Sequence, residues 1–104
     1  MLIAARKAAG YVGGITPEEF RASDLVQDAV IRQLQTIGEA AAQVSPVFRE
    51  AHPEIPWNEL TGMRHRLVHD YRRINLDIVW QAATVEAPSL IALVEPLVPP
   101  EQPG

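Results

Sequence analysis

The chain contains no cysteine. This excludes disulfides, thiol nucleophiles and cysteine-ligated zinc, and it fits a reducing compartment such as the cytoplasm. No apolar run reaches the length a bilayer crossing needs, so neither a membrane span nor a membrane partner is expected. The first residues, Met1-Leu2-Ile3-Ala4-Ala5-Arg6-Lys7, place their charge after a short apolar run, the reverse of a secretory leader. Charged residues make up only 21% of the chain and hydrophobic residues 47%, proportions of a folded domain and not of a disordered polyelectrolyte. Strand-like alternation with hairpin turns is absent, and so is any internal repeat. At 104 residues the chain has room for one core. That core is expected within residues 1–98, with a flexible proline-rich tail at 99–104.

What is present reads as helix. Residues 2–12 are alanine-rich and end at Gly13-Gly14. Thr16-Pro17-Glu18-Glu19 carries a helix start, with Thr16 as N-cap, proline at the first helical position and a glutamate three residues after the cap. Phe20 anchors that short element. From about Asp24, the residues Leu25, Ala29, Val30, Leu34, Ile37, Ala41 and Val44 recur at three- and four-residue spacing, one face of a long amphipathic helix. Gly38 within it lowers helix propensity by about 1 kcal/mol, a cost that a close approach to a neighbouring element would offset. Ser45-Pro46 stops this helix and caps a short one, and His52–Pro56 is a stiff connector. A helix then opens at Trp57 with Trp57, Leu60, Met63 (or Arg64) and Leu67 on its apolar flank. Asn75 caps another whose buried stripe is Ile78, Val79, Ala82 and Val85, and Pro88 breaks or restarts it. Leu90, Ile91, Val94 and Leu97 supply a last apolar face. The expected fold is all-α, an up-and-down bundle of four main helices plus short ones.

The charge is unevenly placed. Arg64, Arg66, Arg72 and Arg73 against Asp70 make residues 61–75 net +3, in a chain whose total is −4, so the remainder carries −7. A positive island on an acidic body points to a focused polyanion site and to strongly salt-dependent binding. The island also holds His65, His69 and Tyr71. An imidazole near neutral pH can take a proton from a ribose 2′-hydroxyl or give one to a leaving 5′-oxygen. A guanidinium can grip two phosphate oxygens as charge builds on them. Such a reaction needs no metal, because the nucleophile is already on the RNA. Geometry imposes a condition, however. A five-residue step along an ideal helix turns through about 500°, leaving Arg64 and His69 about 140° apart around the axis. They converge only if the helix ends or distorts near His69. Arg64 and Tyr71 would share a face if it persisted.

The same residues admit plain structural roles. His69 can sit against a helix dipole, Arg66 and Asp70 can form a surface ion pair, and Tyr71 can lie at the edge of the core. Trp57 and Trp80 read as core residues in preference to base-stacking platforms. His65 and His69 are spaced to share a metal on a helix, but no glutamate follows His65 and only His52 offers a third ligand. No metal or cofactor is expected.

The run Arg64-x4-His69-x-Tyr71 resembles the Arg-x4-His-x-Tyr signature of HepT-like proteins, a branch of the HEPN superfamily. Gln27–Arg32, Ile37–Ala40, Pro53–Trp57, Gly62-Met63-Arg64 and Ile78-Val79-Trp80 resemble the family's other hallmarks in the same order. The resemblance implies a homodimer that brings two Arg/His sites together along a cleft. It implies a metal-independent ribonuclease toxin of the bacterial or archaeal cytoplasm, paired with a minimal nucleotidyltransferase antitoxin. By this resemblance His69 is the general acid or base, Arg64 the phosphate clamp, and Tyr71 the residue that receives AMP. His65, Arg66, Asp70, Arg72 and Arg73 are candidate supporting or RNA-binding residues. His65 stands where the family commonly has asparagine, and the first helix is shorter than usual. The rival reading is a catalytically silent module that binds a nucleotidyltransferase or its nucleotides.

Overall fold

Three helix starts in the first half of the chain are fixed by local caps. In the computed structural model, which describes residues 1–70 and 73–98 (His69 and Asp70 by backbone alone), α1 spans Leu2–Val12 and α2 spans Pro17–Arg21. Thr16 caps α2 in a full capping box: its hydroxyl accepts the Glu19 N–H, and the Glu19 carboxylate accepts the Thr16 N–H. Phe20 is fully buried against the half-buried Trp80, their ring centroids 5.3 Å apart. Ser23 caps α3, Asp24–Ala42, and Ser45 caps α4, Pro46–Ala51. Arg49 reaches back from α4 and donates to the carbonyls of Ala41 and Val44, satisfying acceptors that the end of α3 leaves open. The stripe on α3 is Val30, Leu34, Ile37, Gly38 and Ala41. Leu25, expected on it, is instead 80% exposed, and Val26 is the residue of that first turn packed against the core.

The second half departs from the expected path in three places. The helix that opens at Trp57 is two short ones, α5 (Trp57–Thr61) and α6 (Met63–Leu67), divided at Gly62. Its apolar flank is as expected: Trp57, Leu60, Met63 and Leu67 are all buried. The chain then forms a small antiparallel hairpin, β1 (Val68–Asp70) with β2 (Arg73–Ile74), where the sequence had shown no strand pattern. A pair of strands this short has no room for a repeating alternation. Third, the restart at Pro88, in the first turn of a new α-helical element, comes without a break in the helical path. Helix α7 (Leu76–Gln81) passes through a π-turn at Ala82–Glu86 into α8 (Ala87–Val94) and a 3₁₀ turn, Glu95–Leu97. The Ala87 N–H bonds to the Ala82 carbonyl, a five-residue step that widens the helix just before the proline ring. The wider turn also rotates the stripe, so Val79, Ala82, Ala83, Ala87, Leu90 and Val94 are buried while Val85 is 56% exposed and Leu97 partly exposed.

The result is a bundle. α1 lies against α3 and α8, while α3 also meets α5, α6 and α7. The protein is all-α apart from the hairpin. The helical path Leu76–Leu97 is long and apolar enough by length and composition to cross a membrane, which the sequence reading had excluded. In the bundle 33% of its most apolar stretch is buried.

Gly38 marks a close crossing. A Cβ placed there would lie 2.8 Å from the Leu60 carbonyl oxygen and 3.2 Å from the Met63 Cβ. Gly38→Ala therefore gains about 1 kcal/mol of helix propensity but loses about 1–3 kcal/mol to overpacking. A net loss of stability in urea unfolding is expected. Stabilisation would show that α5 and α6 can shift away freely.

Candidate active site

Arg64 and His69 are separated by a change of backbone. Helix α6 stops at Leu67, and Val68 is already extended, with φ −96° and ψ 119°. Met63 and Leu67, both buried, pin α6 to the core, and the Leu67 carbonyl accepts the Asn75 N–H at 2.7 Å. The segment between Leu67 and Asn75 is thus a closed excursion on a fixed base. Val68 pairs with Ile74 and Asp70 with Arg73, so His69 is the extra residue of an irregular register. A bulge of this kind bends a strand locally. The condition derived from the ideal helix, that it end near His69, is met in the backbone. The helix does not persist past Leu67, and persistence was the condition for Arg64 and Tyr71 to share a face.

Arg64 is exposed and makes no ion pair or side-chain hydrogen bond among the described residues, which leaves its guanidinium available to an anion. It lines a cleft of about 380 Å³ with Gln35, Gly38, Glu39, Ala42 and Thr61. The α3 residues of this wall, 35, 38, 39 and 42, follow the spacing of one helix face. Sequence reasoning noticed Gly38 but not Gln35, Glu39 or Thr61. The helical spacing around Gly38 was the available signal, but the partner facing it was not legible.

Arg66 has a different place. Its Nη2 donates to Glu86 Oε2 at 2.8 Å, joining α6 to the π-turn, and the pair is partly buried. The hydrogen bond to Glu86 raises the Arg66 pKa, outweighing the opposing effect of burial, and the charges of Glu86 and Glu59 act in the same raising direction. The side chain of Asp70, the alternative partner for Arg66, lies outside the described residues. Because the Arg66–Glu86 pair is partly solvated, Arg66→Met should cost only about 1 kcal/mol of stability and change RNA affinity less than Arg64→Ala does. A larger effect on RNA binding than that of Arg64→Ala would return Arg66 to the RNA surface.

His65 is exposed on α6, and Arg73 is exposed at the start of β2. Tyr71 and Arg72 lie outside the described residues, as do the side chains of His69 and Asp70. Among the described residues no group of His, Asp and Glu is placed to hold a metal ion. Trp57 is core, its Nε1 donating to the His52 carbonyl at 2.9 Å.

The family model for HepT-like ribonucleases matches residues 1–97. The chain belongs to the HepT-like ribonuclease family. It is similar to a Caldanaerobacter subterraneus protein provisionally named an RNase, with 36% identity over 91 residues, which cover 88% of this chain and 81% of that one. It is also similar to a Thermococcus cleftensis protein provisionally named ribonuclease HepT, with 39% identity over 80 residues, covering 77% and 73%. A Methanocaldococcus jannaschii protein provisionally named an RNase is 34% identical over 85 residues, covering 82% and 78%. No solved structure matches the chain significantly.

Proposed function

We propose that this HepT-like protein is a metal-independent endoribonuclease, the toxin of a toxin–antitoxin pair. The observation that carries this reading is the end of α6 between Arg64 and His69, on a base held by Leu67 and Asn75, beside a cleft that Arg64 lines. His69 takes the proton from a ribose 2′-hydroxyl as that oxygen attacks the adjacent phosphorus, or it protonates the departing 5′-oxygen. Two histidines, one from each subunit of a homodimer, would divide these tasks. Arg64 binds the phosphate oxygens and holds the charge that develops on them. The P–O5′ bond breaks, leaving a 2′,3′-cyclic phosphate and a 5′-hydroxyl. A minimal nucleotidyltransferase antitoxin binds the toxin and silences it by transferring AMP from ATP to the Tyr71 hydroxyl with release of pyrophosphate, which adds bulk and a phosphate charge to the basic segment.

The products test this reading. Purified protein incubated with RNA in excess chelator should yield 2′,3′-cyclic phosphate ends. Cleavage that leaves 3′-hydroxyl ends would contradict the mechanism. No cleavage by folded protein with Tyr71 unmodified would favour the silent, partner-binding module.

A further inference from the structure

We propose that the cleft beside Arg64 is a guanine subsite, with Glu39 and Gln35 reading the base next to the scissile phosphate. The inference rests on the ribonuclease reading for its biological meaning, but its binding chemistry can be tested separately. Gln35 and Glu39 face the same cleft as Arg64, and neither side chain makes a hydrogen bond or ion pair among the described residues. Glu39 and Arg64 line one cavity without forming a salt bridge with each other. A carboxylate beside a phosphate-binding arginine repels a polyanion, unless the ligand supplies N–H donors to it.

The cavity, about 380 Å³, is of small-ligand size. Ala42, exposed on the same wall, projects only a methyl group and leaves room beside Gln35 and Glu39 for a planar ring. Single-stranded RNA is read at just such places, on the Watson–Crick edges of unstacked bases.

The donor pattern selects the base. An ionised carboxylate only accepts hydrogen bonds, while a glutamine amide can also donate. Guanine alone among the RNA bases presents two adjacent N–H groups, N1–H and N2–H, which one carboxylate can accept together, and its O6 then faces the amide of Gln35. Adenine and cytosine each offer an amino group beside an acceptor nitrogen. Uracil offers one N–H between two carbonyls. Against any of these, the Glu39 carboxylate would face an unpaired acceptor.

The test is titration of 3′-GMP, 3′-IMP, 3′-AMP, 3′-CMP and 3′-UMP into the protein, followed by amide chemical shifts and calorimetry. Wild type should bind 3′-GMP at least about tenfold more tightly than 3′-AMP, the range expected of a two-bond base contact. 3′-IMP, which lacks the N2 amino group, should fall between them. Glu39→Gln should remove the preference, while Arg64→Ala should weaken all five alike. Equal binding of the nucleotides by wild type, no binding of any of them, or a guanine preference unchanged in Glu39→Gln would each overturn the proposal. Cleavage of RNAs carrying one G or one A at a defined position separates the two readings. Cutting without regard to guanine sinks the subsite and leaves the ribonuclease standing. Guanine-selective binding without any cleavage does the reverse.

Discussion

Arg64→Ala should lower the rate of RNA cleavage by about a hundredfold to a thousandfold, the effect of removing one preorganised donor from a developing oxyanion, with little change in thermal unfolding. The two halves of that expectation have separate physical causes. Arg64 is exposed on α6 and bonds to no other described side chain, so the fold loses no ion pair with it. The reaction loses a fixed positive charge at the point where phosphate charge increases. Arg64→Lys restores charge without the planar two-point grip and should recover only part of the rate. A variant that loses cleavage and stability together would instead make Arg64 a structural residue. Unchanged cleavage would remove it from the site.

Leu67→Ala should have the opposite signature, a large loss of stability, about 2–5 kcal/mol, equivalent to a fall in Tm of roughly 10 °C or more for a domain of this size. Leu67 is fully buried, and it is the last helical residue before the chain turns into the hairpin. Truncating it leaves a cavity directly beneath the excursion that carries His69. Its carbonyl holds the Asn75 N–H, and Asn75 in turn caps α7 by accepting the N–H groups of Asp77 and Ile78. Hydrogen exchange at the Asn75 amide should therefore accelerate more than exchange on α1. Uniform acceleration across the bundle would show that Leu67 supports the fold at large and not the base of the hairpin in particular.

These two residues also show what could be read from sequence. Leu67 belongs to a periodic apolar flank, and periodicity survives translation into burial, as it does for Leu34, Ile37 and Val79. The caps at Thr16, Ser45 and Asn75 were legible because each is a local contact within four residues. Leu25 and Val85 were misread because the outcome depended on tertiary or backbone context. Leu25 follows the α3 spacing, yet in that first turn it is Val26 that meets the core. Val85 sits in a π-turn that shifts the register, and the same turn lets the helix run past Pro88. In the site, the chemistry of Arg64 was evident from its neighbours in the chain. The pairing of Arg66 with Glu86 spans twenty residues and the approach of Gly38 to Leu60 spans two elements, so neither has a local trace.

The account depends most on His69. Wild type and His69→Ala, both shown to be folded, should be compared on one RNA under single-turnover conditions with EDTA present. The prediction is cleavage by wild type and a loss of at least about a hundredfold in the variant, the lower end for a general acid or base. Equal cleavage by the two proteins would contradict the central claim.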